Sequence, residues 1–481
     1  MEILNKSKAN KTFKHFINMN KIPRGSNNEE EISQYLYQLG KDMGYEAYKD
    51  EHLNVLIKKP ATKGYEDHDT VCLQGHMDMV CEKLESSDHD FLKDPIDMYI
   101  EDDWIKAKGT TLGADDAIGV AMGLDILESD DVNHPALELL FTATEETGMD
   151  GALGLSPDLL KARKLINIDT EDEGVMVIGC AGGINSFLEL PIQYQEQKGY
   201  INKKIVVSGL KGGHSGLTIG SEHINAIKLL VNILTKFKLK DKILLKSIQG
   251  GTKHNAIPSK AEAIVGVLPQ DIEEFEKEFE LEKNQFINQY LKREAGLKIE
   301  LVNEKEDSKY VTSESAKKIL SAINLLPHGI NTMVNGEDQM VESSNNLAIA
   351  QMNDDILKIT LSIRSSNLEE KEVLIDKIKE VGRILEAQVK FSDGYPMWRP
   401  NYESELTALA DGIYEKMFNK KMSIKTIHAG LETGLIAEKY PEMDMISIGP
   451  EIIGAHTPEE KLSISSTERT RDFVVEILAA L

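Results

Sequence analysis

The stretch LQGHMDMVCEK, residues 73–83, decides how the rest of the chain is interpreted. It opens as an apolar strand and places His76 and Asp78 where that strand gives way to a loop. Side chains of an extended segment alternate between two faces, so positions two apart point the same way. We therefore expect an imidazole and a carboxylate to act at one place, at the end of a strand.

The region up to about residue 185 alternates aliphatic runs with helical periodicity, which is typical of an α/β sheet with covering helices. Strands are predicted at residues 70–75, 137–144 and 164–169, and a helix is predicted at 115–127. The carboxylates in the first turn of that helix suit its dipole. Each predicted strand stops at an acidic residue or a histidine.

A different pattern begins at about residue 186, with strands predicted at 203–210 and 356–366. Between them lies a long charged helix, predicted at 271–295, whose charges we interpret as a solvated face. The α/β alternation returns after about residue 392, with a buried strand predicted at 443–450. A final helix is predicted at 466–481, where Ser465 and Glu468 have the spacing of a capping box.

These patterns predict an α/β fold whose first domain is split. We expect residues 1–185 and 392–481 to form this split domain, with a mixed, mainly parallel sheet and covering helices. Residues 186–391 form an inserted α+β domain. The length of 481 residues agrees with two domains, because a single core usually stops growing below that size.

Charge and composition exclude several classes of protein. The formal net charge of −25 disfavours nucleic acid and anionic membrane surfaces as partners. The N-terminal stretch has no apolar signal region, so we expect a cytosolic location. Cys72, Cys81 and Cys180 are odd in number and have no CxxC spacing, which is typical of neither a disulfide framework nor a zinc knuckle. We expect buried or free thiols, with Cys72 and Cys81 as small buried hydrophobic residues.

Five side chains that bind divalent metals fall at or just after predicted strand ends or a helix start. Ligands of a parallel α/β sheet gather beyond the carboxyl ends of its strands. Two imidazoles and three carboxylates suit a two-metal hydrolytic centre with zinc, or with cobalt or manganese. The candidate metal ligands are His76, Asp115, Glu146, Asp169 and His456.

Three of the candidate roles follow from the chemistry of such a centre. Two cations repel each other, so an anionic bridge is needed, and Asp115 is our candidate. Glu145, an unligated carboxylate beside a ligand, suits a general base. Asp78 suits the acceptor that orients the His76 ring. Taken singly, each of these short patterns is more often a solvated or capping feature, and only their joint occurrence in one order favours a metal centre.

Ten ordered motifs carry a resemblance that covers the chain from about residue 10 to its end. The chain resembles the aminoacyl-histidine dipeptidases, also called Xaa-His or peptidase D-type dipeptidases, of the co-catalytic zinc aminoacylase and carboxypeptidase G-like group. The motifs are GHMDMV, TTLGADDAIGVA, TATEETGMDGALGL, LINIDTEDEG, GCAGG, LKGGHSG, GGTKHNAIP, VESSNNLA, HAGLETG and SIGPEIIGAHTPEE.

The resemblance implies a role for each candidate residue of the metal centre. It implies that His76, Asp115 and Asp169 hold one zinc, and that Asp115, Glu146 and His456 hold the other. It assigns Asp78 to orienting His76 and Glu145 to general acid and base catalysis. It also implies that the inserted segment is a lid that carries the substrate and dimer contacts.

Candidate substrate residues lie mainly in the inserted segment. His214, in GLKGGHSG, is expected to stabilise the oxyanion, in its own or the partner's site, although a turn histidine without a catalytic part is the alternative. Asn255 and Arg364 are candidates for the peptide carbonyl and the terminal carboxylate. Glu432 is expected near the substrate amino group. Ser343, Ser344 and Asn345 are expected to line the same pocket, and all four have structural roles as the alternative. His223 stands where the resemblance leads us to expect an arginine of the lid helix.

The function expected is the metal-dependent hydrolysis of unblocked dipeptides, preferably with C-terminal histidine, such as β-alanyl-histidine. A water between the metals attacks the carbonyl, Glu145 moves the proton, and the lid excludes solvent. The partner expected is a small peptide, with a homodimer implied by the resemblance. The alternatives are an amidohydrolase of N-acyl amino acids or longer peptides, and a non-catalytic peptide-binding protein.

Overall fold

The chain folds as two units in a computed structural model that describes residues 2–221, 223–305, 308–334 and 340–481. The first unit comprises Met1–Cys180, Trp398–Thr426 and Leu431–Leu481, and the second comprises Ala181–Met397 and Ile427–Gly430. The boundary predicted after residue 185 falls inside a strand of the second unit. The lid role of the inserted segment stays a prediction.

The helices are numbered in chain order. Among the described residues, no helix combines the length and apolar composition needed to cross a membrane. The helices are α1 (Asn10–Met19), α2 (Glu30–Asp42), α3 (Ala114–Glu128), α4 (Asp150–Gly154), α5 (Ala226–Lys236), α6 (Ile272–Tyr290), α7 (Ser313–Leu325), α8 (Leu368–Leu385), α9 (Glu405–Phe418), α10 (Glu432–Lys439) and α11 (Ile464–Ala480).

The strands are numbered in the same way. They are β1 (Glu46–Lys49), β2 (Val55–Lys59), β3 (Val71–His76), β4 (Met98–Glu101), β5 (Trp104–Ala107), β6 (Leu137–Thr142), β7 (Lys164–Asn167), β8 (Val175–Cys180), β9 (Gly182–Pro191), β10 (Tyr194–Glu196), β11 (Ile201–Ser208), β12 (Leu244–Gly250), β13 (Ala261–Val267), β14 (Lys298–Asn303), β15 (Lys309–Val311), β16 (Gly329–Met333), β17 (Val341–Asn353), β18 (Ile356–Ser365), β19 (Gln388–Phe391), β20 (Ser423–Ile427), β21 (Asp444–Ser447), β22 (Ile452–Ile453) and β23 (Lys461–Ser463).

The main sheet of the first unit has parallel strands at its centre. Its order is β1-β2-β6-β3-β7-β21-β8-β20, in which β6, β3, β7 and β21 run parallel to one another. The outer pairs β1–β2, β2–β6 and β21–β8 are antiparallel. This mixed sheet with its covering helices confirms the predicted α/β class. The four parallel strands bring their carboxyl ends to one edge.

The core of the first unit explains why its central strands lack the alternation of a half-exposed sheet. Every residue of β3 and β6 is buried, because both faces of these strands are covered. Helix α3 is buried from Ala114 to Leu127 and packs closely on the sheet. Gly119 allows this approach, since a Cβ there would lie 2.3 Å from the carbonyl oxygen of Ile168. The start of α3 is thereby placed beside the strand ends.

The second unit is built on an antiparallel sheet. The sheet runs β14-β11-β13-β12-β17-β18-β9-β19, with β16 paired to β17. A separate apolar core combines this sheet with α5, α6, α7 and α8. Helix α6 contributes its phenylalanines Phe275, Phe279 and Phe286 to that core. Its many charged residues lie on the remaining surface, which confirms the predicted solvated face.

The predicted elements of both units are present, with shifted ends. The strands predicted to end at residues 144, 169 and 450 end at Thr142, Asn167 and Ser447. In each case the strand pairing ends before the predicted residue, although Ile168 and Ile448 still donate one backbone hydrogen bond each to the neighbouring strands, to Gln74 O and Asn167 O. Polar residues that we had counted as the last of a strand therefore belong to the loops.

Two local predictions were wrong. Helix α11 begins two residues earlier than predicted, and its cap is Ser463, whose side chain accepts from the Ser466 N–H. Ser465 bonds to Asp103 instead, and Glu468 accepts from the Ser7 hydroxyl. A two-residue match to a capping box is too short to locate a helix start.

The cysteines are only partly as predicted. All three are free thiols, and Cys72 and Cys180 are buried. Cys81 is exposed, in contrast to the prediction of a small buried hydrophobic residue. The strand before it ends at His76, so Cys81 lies in the loop beyond the covered part of the sheet.

Candidate metal centre

The five candidate metal ligands lie at one edge of the first unit's sheet. His76 ends β3, and Glu146 and Asp169 follow the neighbouring strands β6 and β7 within four residues. His456 lies in the loop after β22, a short strand of a separate sheet that follows β21 in the chain, and Asp115 lies at the start of α3. The carboxyl ends of parallel neighbours meet at one edge, which explains why residues so far apart in sequence come together.

Asp115 occupies the centre of this group. Its Oδ1 lies 3.1 Å from His76 Nε2, and its Oδ2 lies 3.0 Å from His456 Nε2. His76 Nε2 is also 3.5 Å from Asp169 Oδ1, whereas His456 Nε2 is 2.9 Å from Glu146 Oε1. The two oxygens of Asp115 thus face two different pairs of side chains. One oxygen lies beside His76, which is near Asp169, and the other lies beside His456, which is near Glu146.

The donor set fits divalent cations. One ligand atom from each of His76, Asp115 and Glu146 lies within 4.8 Å of the others. Nitrogen and carboxylate oxygen are the donors that zinc, cobalt and manganese accept, and no thiolate is involved. The group offers two imidazoles and three carboxylates in a largely buried place, so it can hold a metal.

Charge in the group is unbalanced in a way that cations would relieve. Burial raises the pKa of Asp169 to about 6, against the opposing effect of His76. Burial alone lowers the pKa of His76, but Asp169 and Asp115 outweigh it and raise that pKa well above its usual value. Hydrogen bonds from His456 and His76 likewise outweigh burial and hold the pKa of Asp115 below its usual range. Protons shared between these groups compete with a metal for the same atoms.

Asp78 connects the His76 ring to the neighbouring loop. Its Oδ1 lies 3.3 Å from His76 Nδ1, on the side of the ring opposite Asp115. Its two oxygens also accept the backbone N–H groups of Glu145 and Glu146, at 3.1 and 3.2 Å. The Ser26 hydroxyl donates to it at 2.8 Å. Asp78 is therefore placed to orient both the imidazole and the Glu145–Glu146 segment.

Glu145 lies in a short 3₁₀ turn, Glu145–Thr147, directly after β6. Its side chain is partly buried. Burial raises its pKa well above the usual value for glutamate, against the lowering effect of His76, and Asp169 raises it further. A carboxyl with a raised pKa is suited to accept and return a proton near neutral pH.

The backbone beside the group adopts left-handed conformations at three points. Gly113, two residues before Asp115, has φ of +65°, Thr144 has φ of +57°, and His456 has φ of +64°. A positive φ is uncommon for residues other than glycine and occurs where the surroundings hold it. The ligand-bearing loops are thus held in specific shapes.

Glu432 lies in a buried row of polar side chains across the sheet. Its Oε2 accepts from Thr142 Oγ1 at 2.6 Å and from Gln74 Nε2 at 2.8 Å. Gln74 Oε1 accepts from Asn167 at 2.6 Å, and Asn167 in turn bonds to the Ser447 hydroxyl. Glu432 is 1% exposed, and burial raises its pKa to about 8. The row ties four parallel strands together just before their ligand-bearing ends.

The second unit gathers a different set of candidate residues. His214 lies in the glycine-rich loop, where its Nδ1 accepts the N–H groups of Gly216 and Leu217 at 3.3 and 3.1 Å. A neutral ring with Nδ1 as acceptor carries its proton on Nε2. Burial lowers the pKa of His214, and Arg364 lowers it further. His214 is thus a neutral donor rather than a cation.

Arg364 and Ser344 face each other across β17 and β18. Arg364 Nη1 donates to the Tyr395 hydroxyl at 2.6 Å, and Ser344 Oγ lies 2.7 Å from His428 Nε2. Burial and then Arg364 lower the pKa of His428 to about 3, so this ring is neutral as well. Among His214, His428 and Arg364, the Arg364 guanidinium is therefore the group that carries positive charge, and it suits an anionic ligand.

The other candidates of the second unit have backbone-supporting contacts. The Asn255 carbonyl accepts from the Ser215 N–H at 2.8 Å, next to His214. Asn345 is buried and donates to the Pro327 carbonyl at 2.6 Å, and the Ser343 hydroxyl lies 2.6 Å from that of Thr332. His223 precedes α5 rather than lying in it, and it bonds to the Gly212 carbonyl.

Comparison with known proteins identifies one family. Residues 72–480 match the family described as Peptidase family M20/M25/M40. The chain is 37% identical over 461 residues to the cytosol non-specific dipeptidase of Escherichia coli, with 95% of this chain and 94% of that relative covered. The chain belongs to peptidase family M20/M25/M40. The family expected from the motifs is thereby confirmed.

Two solved structures resemble this M20 peptidase over nearly its whole length. The aminoacylhistidine dipeptidase from Vibrio alginolyticus has a TM-score of 0.92 at 34% identity, with 99% of this chain and 98% of that chain covered. An aminopeptidase from Bacillus cereus has a TM-score of 0.57 at 17% identity, with 98% of each chain covered. The second likeness concerns the fold alone.

Sequence reasoning missed several residues that contact the candidate ones in this M20 peptidase. His428 lies in the motif HAGLETG and Glu460 ends the motif SIGPEIIGAHTPEE, so their presence in these motifs was a signal that could have indicated them. Arg24 and Ser26 stand in IPRGS, which carries no periodic or ligand-spacing signal. Tyr395 likewise gave no local indication of its contact with Arg364.

Proposed function

We propose that the protein is a dipeptidase that uses two divalent metal ions. The observation that carries the proposal is the position of Asp115, whose two oxygens face the His76 and His456 rings separately. A carboxylate shared in this way suits a bridge between two cations. The names of the E. coli and V. alginolyticus relatives, both dipeptidases, support the substrate class.

In this proposal His76, Asp115 and Asp169 hold one ion, and Asp115, Glu146 and His456 hold the other. Divalent ions bound there would supply Lewis acidity and would lower the pKa of a water at the centre. Zinc is our first choice, with cobalt or manganese as alternatives. Asp78 beside Nδ1 keeps the His76 ring in one orientation, with Nε2 on the side of Asp115, where it would be available to a metal.

The chain's own residues perform the proton transfer. Glu145 takes a proton from the attacking water on its carboxylate and delivers it to the leaving nitrogen. His214 keeps its proton and donates a hydrogen bond from Nε2–H to the substrate carbonyl oxygen as negative charge develops there. Arg364 and Ser344 hold the terminal carboxylate, and Asn255 holds the peptide carbonyl. Glu432, with its buried contacts to Thr142 and Gln74, supports the sheet.

The second unit, as the lid, carries the substrate contacts and the contacts of a homodimer in this proposal. A cytosolic location is part of it, in keeping with the name of the E. coli relative. Light scattering of the purified protein checks the dimer. A monomer at all concentrations would remove that part of the proposal and leave the metal centre untouched.

The names of the two relatives indicate different substrate ranges. The E. coli relative is named a non-specific dipeptidase, whereas the V. alginolyticus relative is named an aminoacylhistidine dipeptidase. We propose a preference for C-terminal histidine within a general dipeptidase activity. The test compares β-alanyl-histidine, other dipeptides, a tripeptide and an N-acetyl amino acid, before and after chelation and with metal added back. Metal-dependent turnover of the dipeptides is expected. Turnover of the acetylated substrate alone, or activity that chelation leaves unchanged, would refute the proposal.

A further inference from the structure

A buried arginine lies behind the proposed metal centre. Arg24 is 1% exposed, although it belongs to the residue type that is almost never fully buried without partners. Its Nη1 donates to the carbonyl oxygens of Met77 and Asp78, at 3.1 and 3.0 Å. Its Nη2 donates to Gly113 O at 2.6 Å and to Asn20 Oδ1 at 2.9 Å. One guanidinium therefore joins two distant parts of the chain.

Both of those parts carry proposed ligands. Met77 and Asp78 directly follow His76, and Gly113 lies two residues before Asp115. The backbone carbonyl oxygens of these segments all accept hydrogen bonds from the Arg24 guanidinium, because the planar fork of arginine can donate to several acceptors at once. A shift of the guanidinium would change the separation of the His76 and Asp115 segments.

Glu460 binds the same segment from its other side. Its Oε2 accepts the N–H groups of Leu112 and Gly113, at 2.7 and 3.0 Å. Its Oε1 accepts those of Ala114 and Asp115, at 2.7 and 3.4 Å. Glu460 follows His456 by four residues, so it links the loop of a third ligand to Asp115.

Gly113 is thus held between opposite charges. Its N–H donates to the Glu460 carboxylate, and its carbonyl accepts from the Arg24 guanidinium. Burial lowers the pKa of Arg24 to about 10, against the effect of Glu460 and Asp78, so the side chain stays charged at neutral pH. Charged groups make stronger hydrogen bonds than neutral ones, particularly in a buried place.

We propose that Arg24 and Glu460 are positioning residues, which set the relative places of His76, Asp115 and His456 and thereby the affinity and geometry of the metal pair. This inference rests on the proposed two-metal centre. Arg24 donates to ligand-bearing segments and to Asn20, not to carbonyls of the helices or strands that form the core. Its expected effect is therefore on metal binding more than on folding.

The experiment measures Co²⁺ binding to metal-free protein with two pairs of variants. Arg24→Lys keeps the charge and loses the fork, and Arg471→Lys is its control, because Arg471 contacts Asp125 away from the centre. Glu460→Gln keeps one carbonyl acceptor, and Glu138→Gln is its control, because Glu138 is a buried carboxylate that accepts from Lys161 and Ala162 N–H groups.

Arg24→Lys and Glu460→Gln are expected to weaken Co²⁺ binding by about 10–100-fold, the range seen when groups that support metal ligands are changed. The visible absorption spectrum of bound Co²⁺ should change as well, since it reports ligand geometry. Both controls should keep the wild-type affinity and spectrum. Urea denaturation of each metal-free variant separates a general loss of stability from the effect on binding.

Wild-type affinity and spectrum in both test variants would overturn the inference, even where their stability falls. If Arg24→Lys does not fold, Glu460→Gln decides, and if neither folds, Asn20→Leu decides by the same measurements, with a smaller loss of affinity expected. Absence of metal binding by the wild-type protein would instead refute the proposed function. The two failures are therefore distinguishable.

Discussion

The two units carry their candidate residues in different ways. In the first unit three of the proposed ligands lie at or just after the ends of parallel strands, and buried groups such as Asp78, Glu460 and Arg24 hold the ligand-bearing loops. In the second unit His214 lies on a glycine-rich loop, and its ring contacts backbone N–H groups of that same loop. Metal ligands must keep fixed separations, whereas a substrate contact can tolerate a loop.

The units also differ in charge. Buried carboxylates dominate the cluster of the first unit, which suits cations. In the second unit, burial and Arg364 keep His214 and His428 neutral, so one guanidinium provides the positive charge of that set. We therefore expect changes in the first unit to affect metal content or kcat. Changes in the second unit should affect the handling of substrate and leave metal content unchanged.

The largest effect is expected for Glu145→Gln. The amide cannot accept a proton, so kcat should fall by about 10²–10⁴-fold, the usual contribution of general acid and base catalysis. Metal content, measured by atomic emission, should equal that of the wild type, since Glu145 is not a proposed ligand. Turnover at the wild-type rate would show that Glu145 is not the general base. It would also contradict the expectation that changes in the first unit affect metal content or kcat.

The second effect concerns His214 and uses two replacements. His214→Asn places an oxygen near the position of Nδ1, where it can still accept from Gly216 and Leu217, but it has no donor at the position of Nε2. His214→Gln places an amide donor near that position. We expect kcat/KM to fall by about 10²–10³-fold for the asparagine variant, as when one oxyanion donor is lost.

The glutamine variant should recover part of that loss. Metal content should be unchanged in both, in line with a role in the second unit alone. If both variants keep the wild-type kcat/KM, His214 is a turn histidine, which was the alternative from the sequence.

A smaller effect is expected for Arg364→Lys. The lysine keeps the charge but cannot bind a carboxylate with two parallel hydrogen bonds, and it loses the contact with Tyr395. KM for dipeptides should rise by about 10–100-fold, since a hydrogen bond to a charged group contributes about 1.5–3 kcal/mol. Arg383→Lys, on the exposed surface of the same unit, is the control. A change in kcat with constant KM would contradict a binding role.

The smallest effect concerns stability and pH in the second unit. Burial, with Lys228, lowers the pKa of His328 from 6.5 to about 4. Between those values the unfolded chain binds more protons than the folded one, so the free energy of unfolding rises with pH across this window. His328 contributes at most about 1.4 kcal/mol per pH unit to that slope.

His328→Asn should reduce the slope by up to that amount, as measured by urea unfolding at pH 4.5–6.5. His254→Asn, which replaces an exposed histidine of the same unit, is the control. Equal slopes for all three proteins would show that His328 does not respond to acid in the folded state. The first unit's stability is expected to respond to metal more than to this histidine.

Much of the site was readable from local patterns. His76 and Asp78 share a face because they lie two apart at the end of a strand, and Glu145–Glu146 follows a strand that is mostly apolar. The approximate places of strands and helices are local features of sequence, and the sheet's topology brings their ends to one edge. The motifs also indicated the family correctly.

Strand ends and the capping of α11 were less readable. Residues 143 and 144 continue an apolar and β-branched run, yet the strand stops at Thr142, because pairing with the neighbouring strands ends there. Whether a residue continues a strand depends on its partner, and the partner lies far away in sequence.

The sequence by itself determined the α/β class, the family and the residue types of the proposed metal centre, because each of these follows from short patterns that lie within single segments of the chain. Only the tertiary structure decided which groups support them. Arg24 reaches Gly113, 89 residues away, and Glu460 reaches Leu112, 348 residues away. Glu432 lies in a buried polar row with Gln74 and Thr142, and its contact with the substrate stays a prediction. Such contacts arise from packing between distant segments, for which a local pattern has no signal.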